Sequence, residues 1–233
     1  AFGNVIRNSE SWSQPTYRLV FDYAWADNLM TYASYSTGFN AGGFSETCGS
    51  PTSCAAYAQE ENTNFEIGLK SDLLDGAMRL NVAIFHTEYK NLQRDTVVTI
   101  IDAAGNEFQE TQAVNVGKST ANGFEIELNW LPTDNFRVDF NLGYLDHEYD
   151  SYAPGADPGP LGLPGPPRTI DFSALSPPFS PELNFGLGLT YFQGLASGGS
   201  LTYNASVHYQ DEYETSSFPA NAQGADSSGV PII

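Results

Sequence analysis

The sequence predicts an all-β fold, an antiparallel transmembrane β-barrel. Three observations carry this. Five segments alternate apolar and polar residues with period two, most clearly Tyr17, Leu19, Phe21 and Tyr23 interleaved with Arg18, Val20 and Asp22, and Phe136, Val138, Phe140, Leu142 and Tyr144 interleaved with Arg137, Asp139, Asn141 and Gly143. Successive strand residues point to opposite faces, so each segment has one apolar and one wet face. The connections alternate short and long, as the two rims of a membrane barrel do. Finally, no run approaches the ~18 uninterrupted apolar residues of a spanning helix. A secreted soluble β-sandwich binding module would share the alternation but not the loop lengths.

Taken in order, the strands are expected at about residues 15–25, 28–40, 61–71, 77–100, 107–130, 135–149, 181–192 and 199–211. Trp25-Ala26-Asp27-Asn28 closes the first pair, and the next tight turns are Ser71 to Gly76, Leu131 to Asn135 and Gln193 to Gly199. Asp, Asn, Gly and Pro supply the backbone angles these turns need. At the opposite rim fall Ala41 to Glu60, the Asp102 to Asn106 tip on two unusually long strands, and Asp150 to Ser180. Pro154 to Pro167, with Gly155, Gly159, Gly162 and Gly165 among its prolines, cannot hold a strand ladder and reads as an extended loop.

The alternation assigns faces. Phe65, Ile67, Leu69; Leu80, Val82, Ile84; Phe124, Ile126, Leu128, Trp130; Leu183 to Tyr191; and Leu201 to Tyr209 take the lipid side at every second residue. Glu66, Lys70, Arg79, Asn81, Glu125, Glu127, Asn129, Asn204 and His208 fall between them. A dry core would not tolerate that set unpaired, whereas a water-filled lumen would. Trp25, Trp130 and Tyr191 lie beside the short turns, where an interface girdle is expected.

With 28 acidic against 9 basic residues, the net charge of −19 opposes nucleic-acid phosphates. No Gly-x-Ser-x-Gly, phosphate-cradling glycine loop or His-Glu-x-x-His is present, so no enzyme, catalytic residue or cofactor is expected. His86, His147 and His208 are singletons on different strands and read as wall residues. Asp146, Glu148 and Asp150 share a face but lack a glycine turn to gather them round a hard cation, so they read as a solvated strand extension and no metal site is expected. Cys48 and Cys54 lie close together in a Gly/Ser/Pro/Thr loop, the spacing of a small disulfide in an oxidising compartment; two lone thiols are the alternative.

One stretch is more specific. Leu29-Met30-Thr31-Tyr32-Ala33-Ser34-Tyr35-Ser36-Thr37-Gly38-Phe39-Asn40-Ala41-Gly42-Gly43-Phe44 resembles a barrel strand of TonB-dependent outer-membrane receptors. Asn64 to Ser71, Arg79 to Phe85 with Tyr89 to Gln93, Asn115 to Lys118 and Gly123 to Leu128 resemble successive strands of that barrel in the same order, over roughly residues 15–210. The resemblance implies a 22-stranded barrel in the bacterial outer membrane, of which residues 1–233 supply about eight strands. It also implies an N-terminal plug domain and a coupling box for the TonB complex, neither of which is recognisable here. The implied activity is TonB-driven uptake of a small nutrient ligand, most often an iron chelate such as a ferric siderophore, with outer-membrane lipid against the wall. A passive porin is the other transport reading. Phe39, Phe44 and Tyr57, in and beside the first long loop, are the candidate ligand-binding residues. Gly38, Gly42 and Gly43 there either permit a bend or let a ligand approach the backbone.

Overall fold

The computed structural model describes residues 8–45, 55–101, 107–152, 156–157, 168–169 and 172–215. Among the described residues fourteen strands follow in order: β1 (Arg18–Ala26), β2 (Leu29–Asn40), β3 (Gly43–Phe44), β4 (Ala56–Tyr57), β5 (Glu60–Leu73), β6 (Met78–Lys90), β7 (Gln93–Ile101), β8 (Glu107–Asn115), β9 (Gly117–Thr133), β10 (Phe136–Tyr152), β11 (Ala156–Asp157), β12 (Arg168–Thr169), β13 (Leu183–Gly194) and β14 (Ser200–Gln210). Eight of them form one antiparallel sheet in the order β1-β2-β5-β6-β9-β10-β13-β14. The remaining six pair as β3-β4, β7-β8 and β11-β12 hairpins.

The four tight connections fall at one end of this sheet. At β5–β6 the chain reverses through Leu74, Asp75 and Gly76, at φ 55°, 56° and 86°, and the Gly76 N–H donates to the Leu73 carbonyl at 3.1 Å. Only glycine adopts such angles without a steric cost, so Leu74 and Asp75 are held there by the ladder on either side.

Register fixes the faces. Ile67, Ile84, Phe124, Tyr144 and Leu183 stand in one row across β5, β6, β9, β10 and β13, and Leu69, Val82, Ile126, Leu142, Phe185 and Tyr209 form the next, which reaches β14. Every residue assigned above to the lipid side lies on this face. On β10, β13 and β14 the apolar stretches Phe136–Tyr144, Leu183–Tyr191 and Leu201–Tyr209 each run about nine residues, the length a tilted strand needs to cross a bilayer core. Ile67 and Ile84 are 65% and 62% exposed, so the face is left uncovered by the described chain. Beyond it, towards the long connections, the same face turns polar through His86, Glu88, Asn122, Thr120, Asp146 and Glu148.

The two long strands expected at 77–100 and 107–130 are each divided. β6 ends at Lys90 and β9 begins at Gly117, and the distal halves leave the sheet as the β7-β8 hairpin. The cause is a paired break: Asn91 takes a left-handed φ of 55° and Gly117 a φ of 146°, while Leu92 N–H donates to Gly117 O at 3.0 Å and Val116 N–H to Leu92 O at 2.8 Å. No Gly or Pro stands between Met78 and Ile101 to mark the break, so a reading of the sequence carries one strand through it. Leu92 and Val116 are turned inward and buried with Tyr149 and Tyr152, with Tyr89, Val114 and Phe172 packed against them. A β-bulge between Tyr149 and Ser151 brings the end of β10 into this cluster.

Candidate functional site

The polar face of the sheet carries hydrogen-bonded pairs. Tyr32 Oη donates to Glu66 Oε1 at 2.7 Å, with Lys70 Nζ 5.6 Å from the centre of the Tyr32 ring. Asp139 Oδ1 accepts from Asn129 Nδ2 at 2.8 Å and from Arg137 Nη2 at 2.7 Å, and Thr190 Oγ1 donates to Asn204 Oδ1 at 3.0 Å. Gly68 makes room for the Tyr32 ring, since a Cβ there would collide with it. Glu125 and Glu127 remain open to solvent between these pairs.

At the long-connection end the loops are tied to the wall. Gln93 is the first anchor: its backbone N–H donates to Glu60 Oε2 at 2.7 Å, and its side-chain amide donates to Ala41 O at 3.0 Å and Ala58 O at 3.1 Å. Asn40 Nδ2 returns a bond to Gln93 Oε1 at 2.9 Å. Asn115, opposite Gln93 in the hairpin, is the second: Nδ2 donates to Asn91 O at 2.7 Å and Ala58 O at 2.9 Å, while Oδ1 accepts from Ala58 N at 2.6 Å. Two amides therefore join the β7-β8 hairpin to both arms of the first long loop. Sequence reading did not single them out, because each gains its partners only through residues 20 or more positions away.

The return segment of the second long loop is held by His147. Its Nδ1 lies 3.0 Å from Ser180 Oγ and its Nε2 3.2 Å from Ser119 Oγ, with the Tyr89 ring centre 6.3 Å away. Burial lowers the His147 pKa below its usual value, and the Arg94 guanidinium pushes in the same direction. Phe172 N–H donates to Tyr152 O at 2.8 Å, and its ring packs at 5.7 Å on Tyr152.

The three candidate ligand-binding residues are separated. Phe39, next to last in β2, stands opposite Glu61 and is 39% exposed, on the same side of β2 as Tyr35 and Thr37. Phe44 packs edge-on against Trp12, with ring centres 5.9 Å apart. Tyr57 faces Gly43 across the β3-β4 ladder, so by alternation its ring and that of Phe44 lie on opposite faces of the hairpin. Gly42 is filled by Trp12 and Gly43 by Tyr57, so both glycines serve close packing there. Cys48 and Cys54 lie outside the described residues. His86 pairs with Asn122 at 2.7 Å, and His208 faces Gly186. Among the described residues no group of three or more His, Cys, Asp or Glu side chains is placed to hold a metal ion. Asp150, the unpaired residue of the bulge, accepts from Thr120 Oγ1 at 2.9 Å.

The profile of the family described as TonB dependent receptor-like, beta-barrel matches residues 2–228. The chain belongs to this family. It is 34% identical over 138 residues to the probable TonB-dependent siderophore receptor PiuA of Acinetobacter baumannii, and 28% identical over 117 residues to the metal-pseudopaline receptor CntO of Pseudomonas aeruginosa. These matches cover 57% and 50% of this chain but only 17% and 14% of the relatives. Among solved structures, PiuA of A. baumannii superposes with a TM-score of 0.57 at 28% identity, covering 84% of this chain and 26% of that one. The ferric yersiniabactin receptor FyuA of Yersinia pestis superposes with a TM-score of 0.61 at 19% identity, covering 86% and 26%, and shares the fold. The chain is thus part of an outer-membrane receptor barrel and not an enzyme. Its apolar face is the outward one, its polar face the inward one, and the tied loops stand at one mouth.

Proposed function

We propose that the whole protein takes up a ferric siderophore across the outer membrane by TonB-driven transport, and that this chain supplies part of the wall and of the ligand-selecting mouth. The observation that carries this is the tied mouth: Gln93, Asn115 and His147 hold loop segments over a polar inner face, which gives a ligand a preformed rim instead of free tails. Similarity to receptors named for siderophores and for metal-pseudopaline supports the substrate class. The outward band meets membrane lipid, and the TonB complex and a plug act from parts of the protein beyond these strands. Phe44 and Tyr57 of the β3-β4 hairpin are the aromatic contacts proposed for the chelate, Phe39 being turned to the outward face of β2, and the loops Ala41 to Glu60 and Asp150 to Ser180 carry its recognition.

The test is uptake of radioiron-labelled siderophores by iron-starved cells carrying the complete receptor, with and without a proton-motive-force uncoupler. Uptake that stops with the uncoupler, and falls when either loop is deleted while the barrel still inserts, is the expected result. Uptake insensitive to the uncoupler would favour a passive porin. Unchanged uptake after both deletions would remove the loops from recognition.

A further inference from the structure

On the outward face, where the apolar band meets its polar rim, the wall is not smooth. A shallow trough of about 510 Å³ is lined by Phe65 and Ile67 of β5, Ile84 of β6, Phe124 of β9 and Tyr144 of β10. The Phe124 and Tyr144 rings stack with centres 5.5 Å apart and form one bank, while the Phe65 and Ile67 side chains form the other, with Ile84 between them in the row. The next row towards the long loops is polar at the trough's upper end: His86, Asn122 and Asp146 stand side by side on β6, β9 and β10. His86 Nδ1 lies 2.7 Å from Asn122 Oδ1, its Nε2 lies 3.6 Å from Glu88 Oε1, and the Asp146 side chain is exposed.

We propose that this trough is a seat for one lipid molecule, its acyl chain lying along Ile84 between the aromatic banks and its headgroup resting on His86, Asn122 and Asp146. The inference rests on the outward band meeting lipid, and goes beyond it in naming one ordered site. Position decides the class of occupant, because an apolar channel that runs into hydrogen-bonding groups at the band's edge matches the point where chain becomes head. Charge decides the head. The exposed carboxylate of Asp146 sits in the row that closes the trough, repels a phosphate set directly on it and accepts from hydroxyl or amide N–H donors, whereas the outward cations Lys90, 3.9 Å from Glu88 Oε2, and Lys118 beside it stand two rows further from the trough. A head seated on the Asp146 row is therefore a hydroxyl-rich sugar in preference to a phosphate.

Two photoactivatable probes with the same diazirine-bearing alkyl chain, an alkyl maltoside and an alkyl phosphate, test this on the complete receptor in mixed micelles, with labelled residues mapped by mass spectrometry. The maltoside is expected to label the outward residues of β5, β6 and β9 several-fold above the outward face of β13 and β14, and the phosphate to show no such excess. Ile84→Trp fills the trough and should return labelling there to background, whereas Val207→Trp, elsewhere on the band, should leave the pattern unchanged. Asp146→Lys should let the phosphate probe label the site. Labelling spread evenly over the band, or equal labelling by the two heads, overturns the site while leaving the lipid-facing band intact. An outward face that labels nowhere overturns both.

Discussion

Leu142 stands in the middle of the outward band, in one row with Val82, Ile126 and Phe185, while its neighbour Asn141 points the other way beside Glu127 and Gly186. Arginine at these two adjacent positions should therefore have opposite consequences. At 142 the guanidinium has only Ile126, Phe185 and lipid around it, and an arginine on the lipid face near the bilayer midplane costs a membrane barrel about 2–4 kcal/mol. At 141 the missing Gly186 side chain leaves space and the Glu127 carboxylate offers a partner, so the cost should stay below about 1 kcal/mol. The larger cost corresponds to a roughly 30- to 900-fold loss in the folding equilibrium for Leu142→Arg. Reversible unfolding of the complete receptor in lipid vesicles, followed by tryptophan fluorescence against denaturant, reads it directly. Equal destabilisation by the two variants would refute the facing, because a register slip of one residue exchanges the two sides.

Three further outcomes are expected. Gln93→Ala removes the amide that joins the β7-β8 hairpin to Ala41 and Ala58, and at about 0.5–1.5 kcal/mol per bond it should raise hydrogen exchange in residues 41–45 and 55–60 while leaving β5 and β6 protected; unchanged exchange would show the anchor to be idle. His147 is held neutral, with a folded pKa below the ordinary value near 6.5, so the unfolded form binds more protons as pH falls through 6.5 towards that lowered pKa. The contact to Ser180 is therefore complete above that window and weakens within it: exchange in residues 172–182 should rise on acidification in the native receptor and lose this pH dependence in His147→Gln, and a flat profile in the native protein would sink the assignment. Cys48 and Cys54 should form a disulfide, contributing roughly 2 kcal/mol by restricting so short a loop; alkylation of both thiols without reductant, read by intact mass, would end that expectation.

The sequence by itself determined the two faces and the short rim. Period-two alternation is a property of the local backbone, so Phe124, Ile126 and Leu128 declare their side without reference to any other strand, and Asp134-Asn135 or Gly76 declare a reversal from their own torsional preferences. The family resemblance in Leu29 to Phe44 was legible for the same reason, as a run of neighbouring residues. Only the tertiary structure decided where strands leave the sheet and what the mouth is made of. No Gly or Pro interrupts the chain from β6 into β7, and the departure at Asn91 is set by the bonds from Leu92 to Val116 and Gly117, which are distant from it along the chain. Phe39, Phe44 and Tyr57 look like one aromatic group in sequence, yet strand pairing sends them to different surfaces. Gln93, Asn115 and His147 are ordinary polar residues until folding brings Ala58, Asn91, Ser119 and Ser180 within hydrogen-bond reach. The outward trough likewise exists only across four strands at once. Facing is written residue by residue, whereas anchoring and shape depend on which strands become neighbours and in what register.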